Sequence, residues 1–184
     1  MNFQFYLEKL FDSESFQSFI KENKKAYPCS GFFIIDLSDS KKPDNKQHID
    51  YYIPLTKKLF SFKLEDSCSI IPVELADTEA PKKVALNYSF DFNDIKQMIQ
   101  DEMDKKEVKN KLQKLLFSLQ NKDGKDYLVG TAFLSNFGLL KVNIDIADMK
   151  IVLFEKKSFM DMMRVVKKDE KSEESPSEKL EEKK

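Results

Sequence analysis

The 184-residue chain predicts an α+β fold: an antiparallel, curved sheet of about seven or eight strands packed against helices. The helices expected are an N-terminal one, a long central one, either continuous or broken, and a short C-terminal one. Three observations carry this prediction. Apolar residues recur at spacings of three and four near the start and again after residue 91, which is helical periodicity. Between and after these blocks the period falls to two. The period-two segments succeed one another through short connections, which antiparallel neighbours permit and parallel neighbours do not.

In chain order, Phe5, Leu7, Leu10 and Phe11, then Phe16, Phe19 and Ile20, place a helix over residues 3–25, broken near residue 12 and stopped before Pro28. Asp12 or Ser13 is the candidate cap of its second part. "FFIIDL" is a continuous apolar run, the pattern of a strand buried on both faces. "HIDYYIPL" alternates through Ile49, Tyr51 and Ile53, and "LFSFKL" sets Phe60, Phe62 and Leu64 against Ser61 and Lys63. "CSIIPVEL" is a fourth strand, confined to an edge by Pro72. "KKVALNYSF" alternates most cleanly, with Val84, Leu86, Tyr88 and Phe90 on the apolar side.

Helical spacing returns with Phe92, Ile95, Ile99 and Met103, then Val108, Leu112, Leu115, Leu116 and Leu119, in two helical segments started by Asp91 or Asn93 and ended by Gly124. "YLVGTAFLSNFGLLKVNIDIADMKIVLFEK" predicts a three-stranded meander with turns at 136–138 and near Asp148. Ser158 and Asp161 frame a capping pattern for a last helix carrying Phe159, Met162, Met163 and Val166. Residues 167–184 hold six lysines, seven acidic residues and one apolar side chain, Leu180. That composition predicts a disordered charged tail, leaving residues 1–166 as a single domain.

Hydrophobic residues make up 41% of the chain, enough for a sizeable interior, and charged residues 34%, enough to solvate its exterior. Positive and negative side chains nearly cancel, 31 against 32. No global field therefore draws the chain to nucleic acid or to an anionic membrane, and any such binding has to come from a local patch. The basic residues are almost all lysine, with Arg164 the one arginine, which disfavours base reading by arginine forks. Cys29 and Cys68 have no metal-ligand spacing and predict reduced thiols. No signal-like leader and no long apolar run is present in the sequence, and the expected location is the cytoplasm.

Elimination narrows the chemistry. The four glycines, Gly31, Gly124, Gly130 and Gly138, are too far apart for a phosphate-cradling loop or a dinucleotide fingerprint. With His48 the single histidine, a di-histidine metal site is excluded, and a nucleophile-histidine pair would have to use His48 itself. Ser38 and Ser18 each precede a lysine by three residues, but no partner motif of a serine acyltransferase accompanies them. Asp36, Asp39 and Asp44 form a carboxylate cluster at a strand end, a low-ranked candidate for Mg²⁺ in a metal-dependent phosphodiesterase if Asp145, Asp148 or Glu74 converge on it. The simpler reading is a turn built of turn-forming residues. Tyr51, Tyr52, Phe60, Phe62 and Lys63 would stack nucleic-acid bases if exposed, whereas their regular placement predicts core packing.

The leading functional expectation is a non-enzymatic protein-interaction module: an adaptor, complex subunit or chaperone-like binding protein. It would use a sheet edge, the C-terminal helix, or both, with Phe159, Met160, Met162, Met163 and Arg164 as the candidate partner-binding residues. A carrier enclosing a hydrophobic small molecule between sheet and central helix is the second expectation, and the Asp36 phosphodiesterase the third. No cofactor is expected. The expected partner is another protein, with a homodimer as one form of it.

Overall fold

The structure, a computed structural model, describes residues 2–38, 41–75 and 79–158. The predicted last helix and the charged tail lie outside these residues.

The N-terminal helical block is two helices, α1 (Phe3–Phe11) and α2 (Glu14–Glu22), and Ser13 makes the break. Ser13 is extended, with φ −74° and ψ 136°, and its Oγ accepts from Phe16 N at 3.2 Å. The same hydroxyl donates to Leu10 O at 2.7 Å, so one serine finishes α1 and starts α2.

Beyond α2 the chain forms eight strands: β1 (Tyr27–Asp36), β2 (Lys46–Ile53), β3 (Lys58–Lys63), β4 (Ser69–Val73), β5 (Leu112–Lys122), β6 (Lys125–Leu134), β7 (Gly138–Asp145) and β8 (Lys150–Ser158). A third helix, α3 (Phe92–Lys105), separates β4 from β5, and Asp91 caps it through Asn93 N at 2.7 Å. The strands form one open sheet in the order β4-β3-β2-β1-β5-β6-β7-β8, every neighbouring pair antiparallel. The order is symmetric about the β1–β5 pair. Each half has helical structure leading into a four-stranded meander that walks outward to an edge.

The sheet faces differ because the sequence alternates. Phe33, Ile49, Tyr51, Phe62, Leu115, Phe117, Leu119, Leu128, Leu140, Val142 and Ile144 are buried on one face, under the helices. Phe16 lies edge-on to Tyr51 and Phe62, with ring centroids 5.2 and 5.3 Å apart, and Phe3 and Phe92 reach Phe33 at 5.8 and 5.0 Å. From α3, Ile95, Ile99 and Met103 are fully buried. Burial of such side chains contributes about 1.5–3 kcal/mol each, so this layer dominates stability.

Three expectations are corrected. Leu112–Lys122, expected as the second half of a broken central helix, is the central strand β5. Its leucines fit a helix at spacings of three and four, but Leu115, Phe117 and Leu119 also alternate, and pairing with β1 and β6 on both sides selects the strand. Gly124 does not end a helix. With φ of 53° at Asp123 and 82° at Gly124, it closes the tight β5–β6 hairpin.

The segment with the cleanest alternation, residues 82–90, is not a strand. It is an extended strap tied by single bonds: Val84 N to Pro28 O at 3.0 Å, Ala85 N to the Asp126 carboxylate at 2.8 Å, and Phe90 O to Phe3 N at 3.0 Å. Lastly, "FFIIDL" is buried on one face only. Phe33 and Ile35 face the helices, while Phe32 and Ile34 are half-buried on the opposite face.

Candidate functional site

That opposite face carries no helix among the described residues, and it holds an open groove. Across its middle the strands bring Phe32 of β1, Leu116 and Ser118 of β5, Val129 and Thr131 of β6, Asn143 of β7 and Leu153 of β8 into two adjoining rows. Phe32, Leu116, Val129 and Leu153 are half-buried, and with Lys141 they line a shallow groove of about 330 Å³. Gly130 lies in its floor. A Cβ there would come within 2.3 Å of the Phe117 ring and 2.5 Å of Leu116 O, so glycine is what lets the Phe117 ring approach β6 this closely. The groove is apolar along its centre and polar at its margins, and it contains neither a nucleophile-base pair nor converging carboxylates.

The two free edges are less inviting. β4 is short and carries Pro72, which has no N–H to offer. β8 carries Lys150, Glu155, Lys156 and Lys157 and is bulged opposite Asn143 and Ile144. Both are devices that discourage strand addition.

The structure joins two of the three clustered aspartates, in a turn. Asp36 accepts from Ser38 N and Asp44 N, each at 3.0 Å, while its own N–H donates to Asn45 at 2.9 Å. These bonds, the one from Asp44 first, hold the Asp36 carboxyl down at about 2. Lys46 and Lys114 lie 3.1 and 3.4 Å from Asp44, and the hydrogen bond from Lys46 lowers that carboxyl too. Asp39 lies outside the described residues.

The distant acids that a two-metal site would need are elsewhere. Asp36 pairs with Lys114, whereas Asp145 pairs with Tyr127 and so with the far end of β5, about 20 Å along the strands. Glu74 succeeds β4 at the end of the sheet marked by Tyr27 and Tyr52. Among the described residues no group of three acids, cysteines or histidines is placed to hold a metal.

His48 pairs with Glu65, Nε2 to Oε1 at 2.8 Å, beside the Phe32 ring. Cys29 is buried, which, ahead of the nearby Asp50 charge, pushes its thiol up to about 12 and makes it a poor nucleophile. Of the aromatics considered for base stacking, Tyr51, Phe60 and Phe62 pack against Phe16 and Phe19 on the covered face. Phe159, Met160, Met162, Met163 and Arg164 lie outside the described residues.

Sequence reasoning did not single out the groove. Its only trace was adjacent apolar pairs, Phe32 with Phe33 and Leu115 with Leu116, where a one-sided strand would have alternated.

No family model matches the chain, and no curated protein does. A distant structural neighbour, the crystal structure of a provisionally named lipoprotein from Clostridium difficile 630, shares 12% identity over 78% of this chain and 91% of that one, with a TM-score of 0.47.

Proposed function

We propose that the protein is a non-enzymatic binding module, an adaptor or complex subunit, that holds another protein on the open face of its sheet. One observation supports this above the others: the half-buried row of Phe32, Leu116, Val129 and Leu153 crosses five strands and has no cover among the described residues. Apolar centres with polar margins are the usual anatomy of protein interfaces. The edges are blunted, so the face rather than strand addition is the better surface. An internal carrier site is disfavoured because Phe33, Phe92, Phe117, Ile95 and Ile99, each no more than 1% exposed, fill the layer between sheet and α3.

The test is capture by the full-length protein against a variant with Leu116→Lys and Leu153→Glu, both checked for unchanged melting. Partners retained by the wild type and lost by the variant support the reading. Identical partner sets for the two would refute it.

A further inference from the structure

Phe137 stands at the tip of the β6–β7 turn, and two costs attach to it. It is 85% exposed, the most exposed of the large apolar side chains among the described residues. It also has φ 58°, as does Asn136 before it, so both central residues of the turn lie in the left-handed region. That conformation suits Asn and Gly and is strained for a bulky residue. Single exposed apolar residues such as Phe5 or Leu55 need no explanation. An aromatic that is both strained and fully presented does.

Its surroundings indicate what it meets. The turn is framed by the chain before β5 and by the end of β8. Ser135 N donates to Lys111 O at 2.8 Å, Leu139 pairs with Lys157, and Leu140 with Lys156. Lys109 and Lys111 are exposed on one side, beside Asp104 and Glu107, while Lys156 is exposed and Lys157 half-exposed on the other, where Lys157 lies 3.6 Å from Glu155. Ser158, opposite Gly138, delivers the chain to this same corner. The sequence continues from there as "FMDMMRVVKK", residues 159–168, with three cationic side chains, one acidic one and six apolar ones. An exposed aromatic at a corner whose flanking segments carry exposed lysines, in a sequence that continues from Ser158 as basic and apolar, is the chemistry of attachment to an anionic lipid surface.

We infer that the Phe137 corner is a peripheral membrane contact: Phe137 enters the headgroup layer while Lys109, Lys111, Lys156 and Lys157 engage anionic lipid. The local patch supplies the attraction that a net charge of −1 denies the whole chain. The contact is independent of the groove on the sheet face, and a module attached at this corner keeps that face available.

The chain has no tryptophan, so Phe137→Trp gives a single reporter indole in the full-length protein. With vesicles of phosphatidylcholine and phosphatidylserine in equal parts, its emission should shift to the blue and the protein should co-sediment. With phosphatidylcholine alone neither should occur, and added salt should reverse the binding. Phe137→Gly should bind about tenfold more weakly through lost apolar contact. Lys111→Gln and Lys157→Gln should each lose about fivefold.

Phe137→Gly also relieves the strained turn, so its melting temperature should rise while binding falls, which separates loss of contact from loss of fold. Failure of the wild type to bind anionic vesicles would overturn the inference, as would Phe137→Gly binding at full strength or equal binding to neutral vesicles.

Discussion

At Asp36 two backbone N–H groups converge on one carboxylate while the Asp36 N–H is held by Asn45, and the result is a turn, made of the residues that looked most like chemistry in the sequence. The sign of the shift sets the pH dependence. A carboxyl held at about 2 in the folded chain and near 3.9 when unfolded favours folding above about pH 4, and the contribution is lost as pH falls through about 2. Titration monitored at the Ser38 and Asp44 amides should show a midpoint near 2, and Asp36→Asn should abolish it. A midpoint near 4 would show that these bonds do not form.

Much was legible at this scale. The alternation placed Tyr51 and Phe62 in the core, and the turn-forming character of the Asp36 loop was visible before the fold. Phe137 was not legible, because exposure and a positive φ are properties of the folded turn.

For elements, the strap and β5 show where local pattern stops deciding. Residues 82–90 alternate like a strand, yet no neighbour runs alongside them, and their polar groups are satisfied one at a time. Asp126 is the main tie. It is 6% exposed and accepts from Ala85 N, from the Tyr88 hydroxyl at 3.1 Å and from Asn121 at 2.6 Å, joining strap, β5 and β6. Asp126→Ala would leave these donors without their acceptor and should cost about 2–3 kcal/mol in chemical denaturation. A loss below about 0.5 kcal/mol would mean that water replaces the carboxylate at no cost.

β5 was hidden for the opposite reason, since its leucines satisfy both periods at once. The discriminating signal is the Asp123-Gly124 pair, a hairpin dipeptide twelve residues before Asn136. A hairpin at that position requires a strand before it as well as after it.

At the level of the whole molecule, the two meanders join along β1 and β5, from Gly31 opposite Leu119 to Asp36 opposite Lys114. These two strands are central and flanked on both sides, whereas β4 and β8 are edges. Amide exchange should therefore be slowest in β1 and β5 and fastest in β4 and β8, with one cooperative unfolding transition. Two separate transitions, one for each meander, would contradict a single cooperative unit. Phe33 and Phe117 pair across more than eighty residues of sequence, and closing that loop is the slow topological step, so folding belongs to the slower range of milliseconds to seconds.

The symmetric strand order also makes the chain divisible. A cut between β4 and the strap yields one piece with α1, α2 and the first meander, and another with the strap, α3 and the second. No strand is severed, and the edge partner that each piece lacks is the strand the other supplies. Co-expressed halves should find each other through the β1–β5 seam, so a reporter split at that point would register the assembly of this protein from its own two parts.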